Sequence, residues 1–282
     1  MLVTVVRRDA GEVIVLDGPL GTELARRGVA TPEPAWSAVA LETAPDVVRV
    51  IHADYERAGA AVHRTNTFRT QPRIYPDRYE ALVATAVRLA REGARGRIAG
   101  SLAPVFDCYR PDLAPPAEVA RRAHGAVARA LAAAGVDLLV CETFPHAGEA
   151  AAAVEAAAAT GLPVWAALTA GPDGDLMTPE AMEAAARGCV AAGAAAVLVS
   201  CTGAGVTRRY VDRLARVGVP FGAYANAGRA EEGLGWGRAG APDRYRALAE
   251  GWVASGASIV GGCCGTGPDH VARLAGLGQA LR

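Results

Sequence analysis

The chain has 282 residues, 51% of them apolar, which is enough to bury a large core within one α/β domain. Its 29 basic and 29 acidic residues cancel and form no long blocks, which argues against nucleic acid or an anionic membrane as partner and for small molecules. Every basic residue is arginine, so chemistry that needs a lysine amine, as in Schiff-base enzymes or a P-loop, is excluded.

In chain order, Arg7 and Arg8 follow a short apolar stretch, the reverse of the order in a secretory signal, so no export is expected and the chain reads as cytoplasmic. The first predicted strand is Val13 to Gly18. It is followed by similar apolar runs at Ala61 to Thr67, Arg97 to Leu102, Asp137 to Thr143, Pro163 to Ala170, Ala195 to Cys201, Pro220 to Asn226 and Ser258 to Cys264. Gly59, Gly135, Gly161, Gly193, Gly218 and Gly256 stand before six of these runs, where a helix needs a left-handed residue to stop. The segments between have helical period. Ala117 to Ala134 places Val119, Ala123, Val127, Ala130, Leu131 and Ala134 on one face, and Pro116, Pro179, Pro242 and Pro268 sit where helices can begin. Gly188 to Thr207 is uncharged and long enough to cross a bilayer, yet Gly193, Gly203 and Gly205 break it into helix, turn and buried strand. Eight apolar strands alternating with helices predict a single-domain α/β fold over residues 1–282, a closed (β/α)8 barrel, with an open doubly wound sheet as the alternative.

In such a barrel the chemistry lies at the C-terminal ends of the strands. Those ends carry Asp17 and Gly18; Thr65, Asn66 and Thr67; Gly100 and Ser101; Glu142 and Thr143; Thr169; Cys201; Asn226; and Cys263 with Cys264. The sixth and eighth strands are alternate strands and can aim side chains at a common centre, which brings Cys201 to the Cys263, Cys264 pair. Both members of that pair can face one point only if the chain leaves strand geometry, and Gly261, Gly262 and Gly265 permit that. Three thiolates suit Zn2+ and leave a fourth position open, the arrangement of a catalytic zinc that can bind a substrate thiol. Asp17 and Glu142 are acidic groups at the mouth, suited to an ammonium or to loop capping. Cys108, Cys141 and Cys189 read as core residues, and His52, His63, His124, His146 and His270 as structural ones. A second reading of the same thiols is a non-catalytic zinc protein or a redox sensor that uses Cys263 and Cys264 as a reversible pair.

The segments Asp17-Gly-Pro-Leu-Gly-Thr22, Thr65-Asn-Thr-Phe68, Gly100-Ser101, Glu142-Thr143, Cys201 and Gly261-Gly-Cys-Cys-Gly-Thr266 resemble the homocysteine S-methyltransferase family across the whole chain. The resemblance implies a TIM barrel with zinc on Cys201, Cys263 and Cys264, and a thiol amino acid held near Asp17, Gly18 and Glu142, with Ser101 as a further substrate-binding residue and Asn226 either contacting substrate or ordering its loop. It implies methyl transfer to the thiol of homocysteine or a related thiol or selenol, giving methionine; relatives use sulfonium, betaine or folate-bound methyl groups, and with neither a folate nor a cobalamin domain read in this chain the expected donor is a small sulfonium, S-methylmethionine or S-adenosylmethionine. Two positions depart from the family's pattern, Ser200 before the first cysteine and Ala225 before Asn226. Where some members place a tyrosine after the second strand as a resting zinc ligand, this chain has Phe68 and Arg69. Trp36, Phe68, Phe106, Tyr109, Phe144 and Trp236 are the aromatic candidates for a sulfonium donor.

Overall fold

Alanine-rich helices that stop at a glycine and hand over to an apolar strand are what the repeat predicts. The computed structural model, which describes residues 13–229, 233–234 and 241–277, has that order. The first half runs β1 (Ile14–Val15), α1 (Leu20–Arg26), α2 (Ala40–Thr43), α3 (Pro45–Arg57), β2 (Val62–Arg64), α4 (Tyr79–Gly93), β3 (Arg97–Leu102), α5 (Ala117–Ala133) and β4 (Leu138–Phe144). The second half runs α6 (Ala147–Ala158), β5 (Val164–Leu168), α7 (Pro179–Ala191), β6 (Ala196–Gly203), α8 (Ala204–Leu214), β7 (Phe221–Asn226), α9 (Ala241–Ala254), β8 (Ile259–Gly262) and α10 (Pro268–Ala275). All six predicted stop glycines adopt φ between +80° and +112°. Pro179 and Pro268 stand in the first turns of their helices and Pro116 caps α5.

The strands pair in sequence order and in parallel, from β2 round to β8, and β8 pairs with β1 through Ile14 and Ile259. A parallel bridge between Leu16 and Val62 joins β1 to β2, so the ring closes and the open-sheet alternative falls away. Side-chain alternation divides the buried apolar residues into two sets. Leu16, Val62, Ala99, Leu138, Val140, Trp165, Ala167, Leu198, Tyr224 and Ile259 fill the barrel interior, and the larger set packs the outside of the strands against the helices.

The predicted apolar face of α5 is partly wrong. Val127 and Leu131 are buried, but the buried side also takes Ala120, His124 and Ala128, and Val119 is exposed. Alanines give little contrast between faces, and the His124–Glu149 contact at 3.1 Å turns the helix toward α6. The uncharged stretch 188–207 is the end of α7, the Gly193 turn and β6, as read, and its last four residues begin α8. No helix among the described residues is long and apolar enough to cross a membrane.

Candidate active site at the barrel mouth

Two backbone irregularities aim the sulfur atoms. On β6, Ala196 and Leu198 face the interior, so strict alternation would send Ser200 inward and Cys201 out. The pairing of β6 with β7 shifts between Ser200 and Gly203, and Cys201 takes φ +45°, which turns its side chain into the barrel instead. A non-glycine residue held there costs about 1–3 kcal/mol, the kind of strain that marks functional sites. On β8 the strand ends at Gly262, Cys263 enters the interior, and Cys264 lies on a turn completed by Gly265 at φ +83°. Gly261 has no substitute at this point, because a Cβ there would lie 2.6 Å from that of Leu16.

The three thiols meet as the sequence predicts. The sulfur atoms of Cys201, Cys263 and Cys264 lie within 4.8 Å of one another, close enough that, with the thiols reduced, side-chain rotation brings them to the roughly 3.8 Å separation that tetrahedral zinc–sulfur bonds of about 2.3 Å demand. The donor set therefore fits a thiolate-bound metal. Cys201 and Cys263 are joined as a disulfide with Cα atoms 5.5 Å apart, and Cys264 is free. This corrects the pairing in the second reading, Cys263 with Cys264: adjacent Cα atoms are held about 3.8 Å apart by the peptide bond, below the usual disulfide range, whereas Cys201 and Cys263 fall inside it. Burial pushes the Cys264 thiol above its ordinary pKa.

Beside the thiols stands a cation that the reading of strand ends missed. Arg64, on β2, donates from Nε to Asp17 Oδ1 at 2.8 Å and from its backbone N–H to Asp17 Oδ2 at 2.9 Å. Its Nη1 donates to Glu142 Oε2 at 3.0 Å, and its Nη2 donates to the carbonyls of Asp17, Gly18 and Gly262 at 2.9–3.2 Å. The guanidinium lies 4.5 Å from the ring centre of Tyr224. Burial works against its charge, but Asp17 and Glu142 hold its pKa well above the ordinary value. The signal was present in the alternation: Val62 is an interior residue, so Arg64 two places on shares its face. Glu142 also accepts from the Ser101 hydroxyl and, at 3.2 Å, from Tyr224. Burial and the Glu142 charge together push the Tyr224 phenol well above its ordinary pKa.

A cavity of about 260 Å³ opens over these groups, and Gly18, Arg64, Glu142, Cys201, Cys263 and Cys264 are on its wall. Trp36, Phe68 and Tyr109 line it too, Trp36 and Phe68 packed edge to face at 5.8 Å. Asp17, Ser101 and Asn226 are not on that wall. Asp17 and Ser101 contact Arg64 and Glu142, and Asn226 donates to the Cys201 carbonyl at 3.2 Å, accepts from the Gly228 N–H and lines a neighbouring hollow with Tyr109 and Cys264. Phe144 is buried against His124, Phe106 points outward beside Arg73, and Trp236, like Arg7 and Arg8, lies outside the described residues. Gly18 is required by packing, since the Tyr55 ring fills the space a Cβ would take.

Cys108, Cys141 and Cys189 are buried, which raises their thiol pKa values, to about 12 for Cys108 and Cys189. Cys108 nonetheless reaches the cavity wall. Behind the wall, Asp17, His52 and His63 bring their polar atoms within 4.8 Å of one another, a grouping that sequence spacing did not suggest. Both ring nitrogens of His52 lack hydrogen-bond partners. His146 and His270 cap helices, as structural residues do.

With this geometry in place, the comparisons are decisive. The family model described as homocysteine S-methyltransferase matches residues 14–277. The chain belongs to this family. The Escherichia coli homocysteine S-methyltransferase is 30% identical over 94% of this chain and 95% of its own, and the Astragalus bisulcatus selenocysteine methyltransferase is 28% identical over 96% and 94%. The rat S-methylmethionine–homocysteine S-methyltransferase BHMT2 is 31% identical over 95% of this chain and 79% of its own. The solved metallated form of the Escherichia coli homocysteine methyltransferase MmuM superposes with a TM-score of 0.80 at 26% identity, covering 95% of this chain and 97% of that one. The family's methyltransferase barrel is thus the fold and enzyme class of this chain.

Proposed function

We propose that the protein transfers a methyl group from a small sulfonium donor, S-methylmethionine foremost, to the thiol of homocysteine, with Zn2+ held by Cys201, Cys263 and Cys264. The observation that carries this reading is the convergence of three sulfur atoms within 4.8 Å on the wall of a cavity that also holds Glu142 and three aromatic rings. A zinc ion on three thiolates supplies a soft Lewis-acidic position that favours the deprotonated form of a further sulfur ligand.

The residues of the chain do the rest. Glu142 presents a carboxylate at the cavity wall, with Ser101, Tyr224 and Arg64 fixing its orientation. Trp36, Phe68 and Tyr109 give the cavity ring faces that attract a sulfonium cation and exclude water. The acceptor sulfur forms the new bond to the methyl carbon, the donor's carbon–sulfur bond breaks, and the donor leaves as a neutral sulfide. No side chain has to supply a proton to the leaving group. A donor without an adenosyl group, such as S-methylmethionine, suits a cavity of about 260 Å³ that has to take the acceptor as well. The name of the rat relative also points to S-methylmethionine.

The test is formation of methionine from homocysteine by the zinc-loaded protein, with S-methylmethionine and S-adenosylmethionine compared as donors. Methionine from neither would refute the proposal. A cytoplasmic location remains part of it, in keeping with thiols that have to stay reduced to hold a metal.

A further inference from the structure

Asp17 and Glu142 are the two carboxylates that the sequence offers to an acceptor's ammonium, and a cation already stands between them. Both oxygens of Asp17 are engaged by Arg64, and Asp17 is wholly buried off the cavity wall. Glu142 Oε2 accepts from Arg64 Nη1 and from Tyr224, which fills its two lone-pair sites, and Oε1 accepts from Ser101, which leaves one site. The guanidinium is itself anchored by the carbonyls of Asp17, Gly18 and Gly262 and by the face of Tyr224, so a substrate amine has no means of displacing it. The three charged groups sum to a single negative charge.

We infer that Arg64 takes the position an acceptor's ammonium would fill between Asp17 and Glu142, so that this barrel accepts thiol carboxylates with or without an α-amino group. The inference rests on the reading of the site as a zinc-thiolate methyltransferase and narrows its acceptor class. A site built to bond a substrate amine rejects the analogue without it by about 10⁴–10⁵, because its own buried polar groups are then left unpaired. Here those groups are paired before any substrate arrives. What remains to the ammonium is the one free lone pair of Glu142 Oε1.

The experiment is calorimetric titration of the zinc-loaded protein with L-homocysteine and with 4-mercaptobutanoate, which is homocysteine with hydrogen in place of the amine. The two Kd values are expected within about thirty-fold of each other, the worth of one charge-assisted hydrogen bond. A larger preference for homocysteine overturns the inference. In Arg64→Gln the two carboxylates are released, and the preference for homocysteine is expected to rise at least about tenfold over wild type; an unchanged preference in a folded variant also overturns it. Methyl transfer from S-methylmethionine is followed separately. If both thiols bind and neither is methylated, the methyltransferase reading fails while the role of Arg64 stands; if neither thiol binds, both fail.

Discussion

Cys201 and Cys263, 62 residues apart in sequence, face each other across the barrel mouth with Cα atoms 5.5 Å apart. The relationship depends on one bulge. Without the register shift on β6, Ser200 would occupy the interior position and Cys201 would point to the helices. This geometry lets the same two sulfur atoms either share a metal or bond to each other.

It follows that loss of metal under oxidising conditions links Cys201 to Cys263. Peptide mapping of protein treated with a chelator and then a mild oxidant should recover that cross-link with Cys264 still alkylatable. A Cys263–Cys264 linkage as the main product would contradict the geometry.

Cys264 completes the donor set from the turn after β8. Replacing it by alanine should lower bound zinc from one equivalent to less than about half, and homocysteine methylation by at least about a hundredfold, because a thiolate ligand is lost outright. Metal analysis and turnover on the same preparation check this. Unchanged turnover would count against the site.

Arg64 carries a structural load as well as a recognition role. Arg64→Met leaves Asp17 and Glu142 buried without their counter-ion, and the variant should lose about 3–5 kcal/mol of stability in urea unfolding. Adding Asp17→Asn should restore part of the loss, since it removes one of the stranded charges. A single variant as stable as wild type would show that the buried triad is not a unit.

His52 gives the fold a defined acid sensitivity. Burial, reinforced by neighbouring His63, lowers its pKa to about 3, so the folded protein keeps it neutral while the unfolded chain protonates it below about 6.5. The unfolded state then holds more protons between those values, and stability falls as pH falls through that window. From pH 7 to pH 5 this one group should cost about 2 kcal/mol. His52→Leu should show a correspondingly smaller loss between those two pH values in urea titrations. His270, lowered to about 4, adds to the same slope.

Much of the fold was legible because glycine and alternation leave little choice. Six glycines before six apolar runs fixed the helix stops, and each takes the positive φ that only glycine adopts without strain. The cysteines were legible as strand-end residues on alternate strands. Other features were not, for physical reasons. Alanine-rich α5 has little amphipathic contrast, so its buried face was misplaced at Val119. Arg64 stands inside its apolar run and not at the run's end, and a charged side chain on an interior position becomes intelligible only when its partners, 47 and 78 residues away, are seen. The detachment of Asp17, Ser101 and Asn226 from the cavity wall likewise depends on hydrogen bonds between distant strands. The vicinal redox pair was drawn from adjacency in sequence, which covalent geometry makes a poor disulfide.

The most direct measurement combines metal content and activity in one sample. Protein purified under reducing conditions without chelator should carry one equivalent of zinc and form methionine from homocysteine and S-methylmethionine, with both lost on chelation and both restored by zinc. Less than about half an equivalent of zinc, against the one that a three-thiolate site binds, or turnover that survives complete removal of the metal, would contradict the account.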